Sequence, residues 1–352
     1  MLVFCGAAGI PACGPSGASA HLRGVSRALV RAGHEVRLAT PFLYDHRGPF
    51  DTPLGIPHVS DPPRSWRWLG PLRERGEALD SRRLAQSATR NWRPDLIWER
   101  HTLFCDGGRR LAARLGIPRL VELNAPLARE RKRYGRIRDL RYADRMERKN
   151  LLSADRVVAV SAWLKDWARD LGCTEIRHVP NGVDTHPGNR EVGRRDLQGL
   201  VVGFVGTHKP WHGIERIPAI LDALPEATAL LVGQGPVEAP RHPRLVSRGR
   251  LAPDALPDSI AAMDVGLVPY ASDAPPWFCP LKILEYRAQG VPIVASDRGD
   301  CRSLVDGHGE VVGVDAPQTW ANAVRRQAAA PRIPHQRTWD EVVAEALDGL
   351  RC

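Results

Sequence analysis

Three short stretches of this 352-residue chain bring together residue types that handle phosphates and ribose. In FVGTHKPWHGIERI, Gly206 and Gly213 bracket Thr207, Lys209 and His212 between an apolar run and a helical pattern. Glycines let backbone N–H groups approach an oxyanion, and a lysine with an ionisable imidazole beside them suits a diphosphate. A dianionic neighbour favours a protonated imidazole, so His212 is expected to share the charge with Lys209. In FCPLKILEYRAQGVPIVAS, a proline leads into a helix. The amides of Leu281 and Lys282 fall in its first turn, where N–H groups lack intrahelical partners. Glu285 lies one turn on, where a carboxylate can hold two vicinal hydroxyls of a ribose. In PACGPSGASA, Gly14, Ser16 and Gly17 stand between a strand and a helix, again a place for a phosphate. This loop is not G-x-G-x-x-G, and no acidic residue closes the next strand, which argues against a nicotinamide or flavin. Each stretch also has a plainer reading: a tight turn, a solvated loop with an incidental lysine, a surface glutamate.

These loops need strands before them and helices after them, and the sequence supplies both. LVFCGAAGI reads as a buried strand, HLRGVSRALVRAGHEV as a helix stopped by Gly33, and VRLAT as a second strand, which makes a βαβ unit. Residues 44 to 75, rich in Pro, Gly and Trp, read as an irregular excursion. PDLIWE, PRLVELN and ADRVVAVS are further strands, with helices at GGRRLAARLGI, before Asn150 and at SAWLKDWARDLG, where Ser161 is the N-cap. THPGNREVGRRDLQ (185–198) is polar and aperiodic and reads as a linker. GLVVGFVG restarts the pattern, followed by ATALLVGQGP, RLVSRGRL, DVGLVPY, PIVAS and EVVGV as strands, and WDEVVAEALDGL closes as an amphipathic helix. The expectation is an α/β protein: residues 1–190 as one Rossmann-like domain, 191–335 as a second, and 336–352 as a helix packing back toward the first. In that architecture ligands sit at the carboxyl ends of the strands.

With these motifs in place, the chain resembles the retaining glycosyltransferases of family four, which have the GT-B fold of two doubly wound domains facing across a cleft. G-x-x-x-H (17–21), AGHEV (32–36), AD-x-V-x-x-VS (154–161), PNGVD (180–184), FVG (204–206), VGQGP (232–236) and PLKILEY-x-A-x-G-x-P-x-V-A-S (280–296) occur in family order. The resemblance implies a nucleotide-diphosphate sugar, UDP- or GDP-linked, as donor and a small-molecule or glycan hydroxyl as acceptor. It implies natural-product, cell-wall or polysaccharide synthesis, and no metal. It places the Gly17 backbone on the donor phosphate and Glu285 on the ribose; Gly206, Thr207, Leu251, Leu281 and Lys282 complete the donor set. Thr207 stands where members often carry Arg, and His212 where they often carry Lys. Trp277 stands in place of the family's first glutamate, with Asp273 as a nearby substitute. The position often held by an active-site His is Asn124, with His101 as the alternative. Lys209, His212, Asn124 and His101 are the catalytic candidates. The departures at Thr207 and Trp277 motivate the rival reading, a catalytically impaired homologue acting as a binding or partner subunit.

The rest of the composition bounds the setting. Seven scattered cysteines with no C-x-x-C, and no Asp-x-Asp, argue for free thiols, no zinc and no cofactor. The N-terminal apolar run lacks a preceding charge and no stretch reaches about 18 apolar residues, so a cytoplasmic setting is expected. Net charge is +10. Arg129–Lys149 holds ten basic and four acidic residues, enough for peripheral contact with an anionic membrane face, or simply a solvated arginine-rich helix. Its two tyrosines are too few for a nucleic-acid stacking platform, so no nucleic-acid partner is expected.

Overall fold

The computed structural model describes residues 1–44, 52–64, 73–135, 137–313 and 316–350. Much of the 44–75 excursion, Arg136 and Cys352 lie outside the described residues. The chain forms two compact units: residues 1–181 with 339–352, and residues 182–338.

The first unit carries β1 (Leu2–Phe4), α1 (Gly17–Arg31), β2 (Arg37–Thr40), β3 (His58–Ser60), α2 (Arg73–Ala88), β4 (Ile97–Arg100), α3 (Gly107–Leu115), β5 (Arg119–Leu123), α4 (Leu127–Tyr134), α5 (Leu140–Leu152), β6 (Arg156–Ala159), α6 (Ala162–Asp170) and β7 (Ile176–His178). Its sheet is parallel in the order β3-β2-β1-β4-β5-β6-β7, so the order reverses between β1 and β4. Apolar strands such as LVF are buried on both faces, as a parallel sheet covered by helices requires. Ser16 caps α1, its Oγ accepting from Ser19 N at 3.1 Å. Arg23, buried on the same helix, donates to Ala12 O (2.8 Å) and Gly14 O (2.7 Å), which ties the glycine loop down onto α1.

The second unit carries α7 (Arg190–Gly193), β8 (Leu200–Val205), α8 (Ile217–Asp222), β9 (Ala227–Val232), β10 (Leu245–Gly249), α9 (Leu256–Ala261), β11 (Val265–Val268), α10 (Leu281–Ala288), β12 (Ile293–Ser296), α11 (Cys301–Val305), β13 (Gly309–Val312) and α12 (Pro317–Ala328). Its sheet is parallel in the order β10-β9-β8-β11-β12-β13, reversing between β8 and β11. The segment read as a linker belongs to this unit, which starts at Gly182 rather than 191. Several of its polar residues stay exposed, but others are engaged within the unit. Asn189 N donates to Asp258 Oδ1 (2.7 Å), and Arg190 and Arg194 both close on Asp264. The chain then returns to the first unit with α13 (Trp339–Leu347), which packs against α1. Gly24 makes that contact possible, since a Cβ there would lie 2.2 Å from the Trp339 indole nitrogen.

Candidate active site

In the second unit, the residues singled out from the sequence converge where β8 and β11 diverge, the place at which open α/β sheets bind ligands. The backbone there is tightly wound. Gly206 ends β8 with φ +136°, and its carbonyl lies 2.0 Å from where a Cβ on Gly233 would be. Gly213 has φ +67°, and a Cβ on it would meet Pro269 O at 1.7 Å. Glycine alone fits either place, so the loop from 206 to 213 is held against the loops after β9 and β11.

Thr207 is exposed at the head of this loop, and Lys209 is half-buried with its Nζ 5.8 Å from the Trp211 ring centroid. Trp211 stacks on Phe278 at 5.6 Å. His212 differs from expectation. Its ring lies 5.5 Å from Tyr270 and 5.7 Å from Phe204. Its Nδ1 is 2.5 Å from the Thr207 carbonyl, which can only accept, so Nδ1 carries the proton. Burial and the neighbouring Lys282 push the imidazole down to about 2. His212 is therefore a neutral imidazole in the free protein and not a second cation.

Helix α10 is set by Tyr286, whose hydroxyl accepts from Val205 N at 2.9 Å and whose ring rests on Gly266 of β11. Pro280 at the N-cap brings no side-chain acceptor, so no N-cap side chain competes for the first-turn amides near Leu281 and Lys282. Glu285 is half-buried one turn on; burial pushes its carboxyl up while Lys282 draws it back. Lys282 is the surprise. It is 6% exposed, and its Nζ has no hydrogen-bond partner. Leu251 and Leu281 are half-buried on the apolar cluster below. Trp277 is 1% exposed, so the place of the family's first glutamate is filled by core, while Asp273 is exposed.

The first unit has a polar cluster of its own at the carboxyl ends of β4 and β5, beside the start of α1, where Gly17 is exposed. Arg100 Nη1 donates to His21 Nδ1 (3.0 Å), leaving the Nε2 proton to face Glu122. Glu122 also accepts from Trp98 Nε1 (3.0 Å) and Asn124 Nδ2 (3.1 Å). Burial lowers the His21 pKa against the pull of Glu122. Burial works to raise Glu122, but His21, Arg100 and Trp98 outweigh it and hold the carboxyl at about 2. The result is a carboxylate bound to a neutral imidazole in one tautomer. His101 lies elsewhere: its Nε2 meets Glu147 Oε1 at 3.1 Å, and Glu147 accepts from Leu127 N (2.6 Å) at the start of α4. That arrangement caps a helix. Among the described residues no group of His, Cys, Asp and Glu could hold a metal ion.

Residues 15–187 match the family model described as Glycosyltransferase Family 4, and residues 199–329 the model described as Glycosyl transferases group 1. The chain belongs to the family-four glycosyltransferases. It is 28% identical to a GDP-mannose-dependent alpha-mannosyltransferase of Mycolicibacterium smegmatis, over 91% of this chain and 89% of that one. It superposes on sucrose-phosphate synthase of Thermosynechococcus elongatus with a TM-score of 0.70 at 18% identity, covering 99% of this chain and 94% of the other. Anabaena HepE, solved with UDP, superposes with a TM-score of 0.65 at 20% identity, covering 99% and 94%. The fold is GT-B. In this glycosyltransferase the motifs from Gly206 to Glu285 lie in the second unit, and Gly17 opens α1 of the first. The His21–Glu122–Arg100 cluster was not picked out from the sequence. The G-x-x-x-H spacing contains His21, but its partners Arg100 and Glu122 lie far along the chain and no local pattern joins them.

Proposed function

We propose that this glycosyltransferase moves a hexosyl or related sugar from a UDP- or GDP-linked donor to a hydroxyl acceptor, with retention and without a metal. The assembly at the divergence of β8 and β11 carries this reading: a glycine-wound loop, a helix start with no side-chain cap, and Glu285 one turn along. The first suits the diphosphate and the last the ribose. In the reaction, the bond from the anomeric carbon to the diphosphate oxygen breaks and a bond to the acceptor oxygen forms on the same face. The acceptor proton leaves to the departing diphosphate. Negative charge grows on that diphosphate, so groups placed there act most strongly in the transition state. The M. smegmatis relative favours a GDP donor and HepE a UDP donor. Natural-product, cell-wall or polysaccharide assembly is the setting that fits.

A panel of nucleotide sugars tested by thermal shift selects the donor, because a binder stabilises by mass action. NMR of the product then reads its anomeric configuration, with turnover measured in excess chelator. Retention and undiminished turnover are expected. An inverted product, or activity lost in chelator and restored by Mn²⁺ or Mg²⁺, would overturn the corresponding part of the proposal.

A further inference from the structure

The loop after β8 is short of positive charge for the task assigned to it. Thr207 is neutral, and His212 is held neutral with its Nδ1 proton engaged by the Thr207 carbonyl. Lys209 leans on the Trp211 ring at the margin of the site. A cation with no assigned partner lies just behind. Lys282 Nζ sits 4.3 Å from the Phe204 ring centroid and 4.9 Å from that of Tyr270, and is without a hydrogen-bond partner. A Cβ on Gly206 would lie 3.4 Å from Lys282 Cε and 3.6 Å from this Nζ, so the end of the side chain lies beside the glycine that follows β8. Fully buried lysines are rare unless paired, and an aromatic face compensates a buried ammonium only in part.

We propose that the Lys282 side chain is the cation that takes the donor's diphosphate, in place of the basic residues that family members carry after the glycine of this loop. The proposal rests on the donor reading given above and adds to it a catalytic group that the backbone motif did not reveal. The ring faces of Phe204 and Tyr270 hold the ammonium ready, and at Gly206 no side chain stands between it and the loop that would take the diphosphate. The surroundings leave it poorly neutralised. Cys301 at the start of α11 has its thiol pushed up to about 12 by burial, and burial pushes the Tyr270 phenol up as well, so both are uncharged. His208 and His212, from the loop after β8, are lowered by burial and stand uncharged. Lys209 of that loop adds positive charge near His212. Glu285, one turn along, is the carboxylate that faces it. Burial accordingly lowers Lys282 to about 7. A bound dianion restores its charged form.

The test is calorimetry on the full chain with UDP and GDP, and with uridine and guanosine, for wild type, Lys282→Met and Lys282→Arg. Methionine keeps the volume of the side chain and removes the charge. The diphosphate adds affinity over the nucleoside in wild type. Lys282→Met is expected to lose about tenfold to a hundredfold of that added affinity, the scale of a hydrogen bond to a charged group. Its nucleoside affinity should stay as in wild type, and its melting temperature without ligand should be equal or higher, since an unpaired buried charge is gone. Lys282→Arg should keep most of the diphosphate affinity. If Lys282→Met binds the diphosphate as wild type does, the proposal falls while the donor reading stands. If wild type binds neither UDP nor GDP, the donor reading falls first. Should Lys282→Met not fold, wild type is titrated at pH 8 in two buffers of different ionisation enthalpy. Uptake of close to one proton on diphosphate binding is expected, absent from Lys282→Arg. No uptake, or equal uptake in both, overturns the proposal.

Discussion

Glu285 and Lys282 stand one turn apart on α10, and each alters the other: burial drives the carboxyl up and the ammonium down, and their mutual attraction opposes both shifts. On the present reading they divide the nucleotide between them, the carboxylate holding the ribose hydroxyls and the ammonium the diphosphate. Glu285→Ala should therefore weaken binding of the nucleoside as well as of the diphosphate, by about 1.5–3 kcal/mol for a lost charge-assisted hydrogen bond. Unchanged nucleoside affinity in calorimetry would refute the ribose role. His212 leads to a different kind of prediction. With its imidazole at about 2, it is deprotonated from pH 5 to pH 9 in the free protein. It acts by holding the Thr207 carbonyl and filling the space between Phe204 and Tyr270. His212→Gln should lower kcat/KM without moving either limb of its pH profile. A limb near pH 6 to 7 present in wild type and missing in the variant would show that the histidine titrates after all.

At the scale of elements, what could be read from the chain depended on where polar groups ended up. Buried parallel strands are nearly continuous apolar runs, so ATALLV and VGLV announced themselves. Helix α2 did not, because its inward face includes Glu74 and Ser81, both buried. Glu74 is satisfied by the amides of Arg138 (2.8 Å) and Asp139 (3.1 Å), a partnership some 65 residues away that no local pattern encodes. Residues 185–198 read as a linker for the same reason: Asp264, which neutralises Arg190 and Arg194, lies far along the chain. In the candidate site, glycine spacing and the α10 motif were legible, whereas the burial of Lys282 and the neutrality of His212 arise from packing. The basic stretch now has a structural setting. On α4 the one buried residue is Ala128, and Lys132 and Arg133 are exposed, as are Arg141, Arg145, Arg148 and Lys149 on α5. If this face meets anionic lipid, replacing Lys132, Arg133 and Arg145 by alanine should abolish binding to phosphatidylserine vesicles, and 0.5 M salt should do likewise in wild type through screening. Equal partitioning to neutral and anionic vesicles would leave a solvated helix face.

For the molecule as a whole, the path of the chain matters more than any one motif. It completes the first sheet, builds the second unit, and returns to the first only with α13. The amphipathic pattern of WDEVVAEAL marked a helix, but its docking place is set by complementary shape: Trp339, 3% exposed, lies over Gly24 with its ring 4.6 Å from His21. Arg31 meets Asp340 at 2.8 Å, and the buried Arg156 donates to Ala346 O (2.9 Å) and Asp348 O (2.7 Å). The last helix thus backs the helix that carries both the Gly17 loop and His21. Trp339→Ala opens a cavity between α13 and α1, which for a buried tryptophan costs about 3–5 kcal/mol. The loss belongs to the first unit, because the second has its own apolar clusters around β8 and β11. Hydrogen exchange should therefore show amides of α1 and β1 losing protection by orders of magnitude, about tenfold for each 1.4 kcal/mol, while those of β8 and β11 keep theirs. UDP or GDP affinity, if held by the second unit, should fall far less than activity. Uniform loss of protection across both sheets would mean that the two units unfold as one, and that α13 stabilises the whole chain rather than the first sheet.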